Sequence, residues 1–157
     1  QYVRPHLEYA IPAWAPWQAG DKELLESVQK KLVRNVGGLN GATYQDRLME
    51  LSLDSLEERR RQIDLVQTFK NVKGVDDIPC ERFFAMIPEN RRYGTRSTAG
   101  GLTMETDRSR LDLRRSFYSN RAKEQWNALP LELRSINKLN SFKAAIRAAK
   151  PVPVRPV

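Results

Sequence analysis

The sequence predicts a mostly α-helical protein, in which a helical bundle is followed by a small basic helical module, and three observations carry that prediction. Apolar residues recur at three- and four-residue spacing through most of the chain. Capping residues stand at the starts of these stretches and Gly or Pro at their ends. Charge then separates the two parts: residues 1–90 hold 12 Lys and Arg against 14 Asp and Glu, a net of −2, while residues 91–157 hold 15 against 5, a net of +10.

The first strong helix has Leu24, Val28, Leu32 and Val36 as an inward stripe, with Leu25 and Val33 beside them and Glu26, Lys30 and Arg34 as a charged row. Asp21 is its expected N-cap and Gly37-Gly38 its stop. A short helix follows from Thr43, with Leu48 and Leu51 turned inward. Ser55 begins a capping box with Glu58 and opens a long helix ended by Gly74. Its Leu56, Ile63, Val66, Phe69 and Val72 spread over an arc wide enough to be covered on two sides. Arg59 lies on that arc and reads as a partly buried arginine held by a carboxylate. On the polar side, Glu57 with Arg61 and Arg60 with Asp64 read as surface pairs four residues apart.

Residues 79–86 read as one or two helical turns, with Cys80 a small apolar filler beside Phe83 and Phe84. Residues 88–107 are polar and lose the helical period, and the Gly100-Gly101 break can make a short β-hairpin near 93–107. A connection of this length without regular structure is usually functional or disordered. Helix resumes near Ser116, with Tyr118, Ala122, Trp126 and Leu129 facing inward and Pro130 closing it. Asn140 or Ser141 caps a last helix whose Phe142, Ala145, Ile146 and Ala149 face in and whose Lys143, Arg147 and Lys150 face out. The expected organisation is a bundle over 1–74, a linker and basic loop over 75–107, a basic helical module over 108–149 and a disordered, Pro-rich tail over 150–157.

Composition excludes several chemistries. Cys80 is the only cysteine and His6 the only histidine, which rules out an intrachain disulfide and a zinc knuckle; neither a Cys-His nucleophilic pair built with a nearby base nor a cofactor is expected. His6 reads as a hydrogen-bonded structural residue before a general base. The longest apolar region, residues 9–17, is broken by Pro12 and Pro16 and falls short of the roughly 20 residues a membrane span needs. A soluble intracellular protein of the nucleus or cytoplasm is therefore expected, and Gln1 in place of an initiating Met suggests that the natural chain continues upstream.

The positive excess of the second half points to RNA or DNA as partner, because neutralising phosphates releases condensed counterions. The candidate nucleic-acid-binding residues fall in two groups. Arg91, Arg92 and Arg96 surround Tyr93, a combination that binds phosphate and stacks on a base. Arg108, Arg110, Arg114, Arg115, Arg121 and Lys123 form the densest basic stretch. Phe117 lies one helical turn before Arg121, off the Trp126 stripe, and reads as core before stacking platform; Trp126 reads as core. Trp14 and Trp17, flanked by Pro12 and Pro16, either pin the first helix or face a domain outside this chain. The competing reading is a helical protein–protein interaction module whose arginines serve solubility.

A series of blocks resembles the thumb and post-thumb region of LINE-type (non-LTR), Jockey-like retrotransposon reverse transcriptases. The blocks are Tyr2-Val3-Arg4-Pro5-His6-Leu7-Glu8-Tyr9 with Trp14, Asp21-Lys-Glu-Leu-Leu-Glu-Ser-Val-Gln29 and Tyr44-Gln-Asp-Arg-Leu-Met-Glu-Leu-Ser-Leu-Asp-Ser-Leu-Glu-Glu-Arg-Arg60. They continue through Asp64-Leu-Val-Gln-Thr-Phe-Lys70, Arg110-Leu-Asp-Leu-Arg114, Phe117-Tyr-Ser-Asn-Arg121, Trp126-Asn-Ala-Leu-Pro130 and Asn140-Ser-Phe-Lys143, with Tyr118 where a second Phe is commoner in the family. The resemblance implies a thumb-like bundle over 1–74 and a parent that copies element RNA into DNA at a nicked chromosomal target. This part would grip the template–primer duplex or the target DNA, with the upstream palm and fingers as its partners. Polymerase chemistry needs carboxylates holding two metal ions about 4 Å apart. The family's Asp-Asp pair after an aromatic and a small residue does not occur here. The adjacent Asp76 and Asp77, between Gly74-Val75 and Ile78-Pro79, read as turn or cap residues. No enzymatic activity is expected of this chain alone.

Overall fold

The computed structural model of the protein describes residues 3–88, 102–106 and 109–149, and these are mostly helical, as the periodicity predicts. The chain forms two compact units, Gln1–Arg61 and Gln62–Val157. The division falls inside the long helix rather than after residue 74, because the apolar face of that helix beyond Gln62 belongs to the core of the second unit.

The first unit contains α1 (Val3–Glu8), α2 (Ile11–Trp14), α3 (Ala19–Arg34), α4 (Tyr44–Glu50) and the first residues of α5 (Leu56–Val72). The N-cap of α3 is Gln18, in an extended conformation, and Asp21 lies in the first turn, where its charge complements the helix dipole. The expected inward stripe of α3 is corrected in part: Val33 is buried as expected, but Leu24, Leu32 and Val36 are exposed and Gln29 is buried. Hydrogen bonding accounts for this rotation. The first N–H groups of α5 need acceptors, and the Glu26 carboxylate accepts from Leu56 N at 3.1 and 3.3 Å while also accepting from the Tyr44 hydroxyl. Gln29 Nε2 donates to Tyr44 Oη at 3.2 Å and to Asp54 O at 3.0 Å. Turning Glu26 and Gln29 inward carries Leu24 and Leu32 outward.

Capping fixes the rest of this unit. Thr43 and Asp46 form a reciprocal capping box at α4, whose Leu48 is buried. Arg47 reaches back to the end of α3, donating to Val33 O at 3.2 Å and Arg34 O at 3.3 Å, so that α3 stops before Gly37-Gly38. Ser55 Oγ accepts from Glu58 N at 3.2 Å at the start of α5. Two side-chain expectations in this unit change. Arg61 makes a bidentate pair with Glu58 at 2.7 and 2.9 Å rather than with Glu57, whose ion pair is to Lys22 at 3.8 Å. His6, expected as a hydrogen-bonded structural residue, lies exposed on α1.

Arg59 does hold a carboxylate: its Nε and Nη2 each donate to Glu8 at 2.9 Å, with both side chains largely shielded. Burial works to raise the Glu8 pKa, but the hydrogen bonds and charge of Arg59, with Arg4 behind them, outweigh it and hold the carboxyl below its ordinary value of 4.5. A carboxylate depressed in the folded state contributes stability that is present above the unfolded pKa and lost as pH falls through the folded one. The melting temperature of the parent should therefore exceed that of Glu8→Gln at neutral pH, and the two should converge as pH falls below 4.5. A gap that persists unchanged into acid would contradict this.

The second unit takes the remainder of α5, a 3₁₀ turn at Cys80–Arg82, α6 (Asp112–Ser116), α7 (Tyr118–Asn127), α8 (Leu131–Arg134) and α9 (Leu139–Ala148). Its core joins Leu65 and Phe69 of α5 to Phe84, Met104, Tyr118, Ala122, Trp126, Leu129, Phe142 and Ile146, with Cys80 partly buried against it. Phe69 stacks on Phe142 with ring centres 4.5 Å apart. The predicted α7 stripe, Tyr118, Ala122, Trp126 and Leu129, is buried throughout.

α5 ends at Val72 and is closed by Gly74, whose φ of 63° is the left-handed conformation that lets Val75 N reach back to Lys70 O at 2.9 Å. Asp76 is fastened to this end of the helix, accepting from Gln67 at 2.6 Å and pairing with Lys70 at 3.6 Å. Asp64, expected on the surface, is buried and bound to Arg121. The last helix is capped by Lys138 through its backbone, not by Asn140 or Ser141, which lie inside it.

The hairpin expected near 93–107 falls mostly outside the described residues, and the pairing that is described lies beside it. Antiparallel pairing joins Met86 to Met104, with Ile87 N donating to Thr103 O at 2.9 Å and Glu105 N to Ala85 O at 2.8 Å. Side chains clamp the returning strand: Trp126 Nε1 donates to Leu102 O at 2.8 Å, and Asn127 exchanges hydrogen bonds with Met104 at 2.8 and 2.9 Å. The Gly100-Gly101 turn lies outside the described residues, as does the 150–157 tail.

Candidate nucleic-acid interface

α6 is five residues long and cannot hold itself, so α7 supplies partners for its last carbonyls. Asn120 Nδ2 donates to Arg114 O at 2.7 Å and Arg121 Nη1 to Ser116 O at 2.6 Å. The other edge of Arg121 grips Asp64 with contacts of 2.8 and 3.0 Å, and the Asp64 side chain is only 3% exposed. Arg121 is therefore a structural clamp, which corrects its place among the candidate nucleic-acid-binding residues.

Phe117 is the corner between the two helices, an extended residue with φ −61° and ψ 142° that closes α6 and caps α7. Its carbonyl accepts from Asn120 N at 2.9 Å and Arg121 N at 3.1 Å, which fixes the bend. The next residue, Tyr118, turns inward, its hydroxyl 3.2 Å from Thr68 Oγ1 and accepting from Asn71 at 3.5 Å. Burial pushes the Tyr118 pKa well above its ordinary value of 10, leaving the group a hydrogen-bonding hydroxyl. With Tyr118 inside, the Phe117 ring points outward and is 56% exposed. The expectation that Phe117 is core is thus corrected.

Arg110, Arg114 and Arg115 are all exposed around this corner. Arg115 lies 3.6 Å from Asp112, but an ion pair this open to solvent contributes little. Lys123 is buried, though it lines two clefts that also share Asn120. The larger cleft, about 780 Å³, is polar and takes in Arg110, Arg115 and Glu124. The smaller, about 620 Å³, runs between Phe83, Leu111, Leu113 and Phe117, with Arg82 and Arg114 on its walls. Leu111 and Leu113 are 68% and 50% exposed. Arg91, Arg92, Tyr93, Arg96 and Arg108 lie outside the described residues.

Sequence reasoning missed Arg82, which reaches this surface from the 3₁₀ turn, and the exposed pair Leu111 and Leu113. No signal near Arg82 marks it. The leucines had one: they alternate around Asp112 and match no helical stripe. Among the described residues no cluster of three or more His, Cys, Asp or Glu side chains could hold a metal ion, and no helix is long and apolar enough to cross a membrane. Compared with protein families, with curated proteins and with solved structures, the chain gives no match.

Proposed function

We propose that this chain is a non-catalytic nucleic-acid-binding segment of a LINE-type RNA-directed DNA polymerase, gripping the template–primer duplex or the target DNA. The observation that carries the reading is the α6–α7 corner, where Arg110, Arg114 and Arg115 are exposed on the half of the chain that holds the whole positive excess. Arginine fits this task because its guanidinium meets phosphate oxygens through two parallel donors. The order of the sequence blocks supports the polymerase parentage, and the palm and fingers of that parent would be further partners. The primer-extending chemistry itself is assigned to the parent's palm and not to Asp76 or Asp77, since Asp76 is engaged by Gln67 and Lys70.

The test is binding of an RNA–DNA hybrid by the full chain at several salt concentrations. Arg110→Ala, Arg114→Ala and Arg115→Ala should each weaken binding and flatten the log–log salt slope by about one unit, with little change in sequence preference. Arginine variants that leave the slope unchanged would contradict the reading. A second reading, a helical protein–protein interaction module, is favoured by a separate observation in the first unit: Leu24 and Leu32 of α3 are 68% and 46% exposed, and Trp14 and Trp17 are 41% and 44% exposed.

A further inference from the structure

We infer that the cleft beside Phe117 holds one unpaired nucleobase, so that this surface engages a single-stranded segment of nucleic acid; the inference rests on the nucleic-acid reading of the same surface. The cleft has two kinds of wall. One is apolar and includes an aromatic face, formed by Phe83, Leu111, Leu113 and Phe117. The other kind is basic, with Arg82 and Arg114 among the lining residues. A nucleobase in a strand has the matching chemistry: a flat π-face between anionic phosphates.

Size permits it, because a cleft of about 620 Å³ has ample room for one base. Position agrees as well. The Phe117 carbonyl accepts from Asn120 N and Arg121 N, so the backbone that carries the ring is already fixed at the corner before binding. No carboxylate lines this cleft among the described residues, which suits an anionic ligand. A base inside a duplex already has both faces stacked and cannot offer one to Phe117. The cleft therefore selects an unpaired base, while the neighbouring arginines grip phosphates of either form.

The experiment uses the full chain with a single-stranded oligonucleotide carrying 2-aminopurine and a duplex of the same length, at matched salt. Binding should quench the single-strand fluorescence through stacking. Phe117→Ala should remove the quenching and weaken single-strand binding by about 10-fold or more, leaving duplex affinity and both salt slopes unchanged. Phe117→Tyr should keep quenching and affinity, which separates loss of the ring from loss of folding. If Phe117→Ala leaves single-strand binding and quenching intact while Arg114→Ala weakens both ligands, the base site is wrong and the nucleic-acid reading survives. If neither oligonucleotide binds, both fail. If an acidic, aromatic peptide binds in a Phe117-dependent way and the oligonucleotides do not, the occupant is a protein and the inference is overturned.

Discussion

Trp126→Ala is expected to lower the unfolding free energy by about 3 to 5 kcal/mol, the loss typical of a buried tryptophan truncated in a core. Trp126 is fully buried, packs on Phe142 with ring centres 6.0 Å apart, and donates from Nε1 to Leu102 O at 2.8 Å. Its removal opens a cavity in the core of the second unit and releases one of the clamps on the strand at 102–104. Trp126→Phe should restore part of the packing but not the donor, recovering stability incompletely. Denaturant melts of the three proteins decide it, and a Trp126→Ala curve that overlays the parent would contradict the core assignment.

The second large effect is expected at Asp64. Its side chain is 3% exposed and holds Arg121, itself only 17% exposed, so Asp64→Ala leaves a shielded cation without its carboxylate, at a cost of about 3 to 5 kcal/mol. Arg121 also caps α6 through Ser116 O, so its loss of anchorage should loosen the corner that presents Phe117. The double variant Asp64→Ala, Arg121→Met should be more stable than Asp64→Ala alone, because the orphaned charge is gone. A single Asp64 variant that costs less than about 1 kcal/mol would show that the pair is not structural.

Legibility in the sequence followed the physics of each element. The α7 stripe and the α9 face could be read because apolar periodicity dictates burial when one face meets a core, as Trp126 and Phe142 do. The α3 stripe misled because an apolar period says which residues share a face, not which face is covered. Glu26 and Gln29 were drawn inward by the unsatisfied backbone groups of α5 and by Asp54 O, partners that lie up to 30 residues away in sequence. Asp64 looked like half of a surface pair with Arg60 because nothing local announces Arg121, which is 57 residues distant. At the candidate site, exposure of Arg110, Arg114 and Arg115 follows from their charge. The role of Arg121 as a clamp depends on tertiary contact, and the outward turn of Phe117 depends on Tyr118 taking the inward place beside Thr68 and Asn71.

In the proposed function, the basic half of this chain binds nucleic acid through its phosphates. The affinity of the full chain for an RNA–DNA hybrid, measured from low to physiological salt, tests it most directly. Log affinity should fall linearly with log salt. Three phosphate contacts by Arg110, Arg114 and Arg115 would give a slope of about −2.7, steeper if further basic residues take part. Binding that is undetectable at moderate salt, or a slope near zero, would rule out phosphate binding by this half and favour a protein partner.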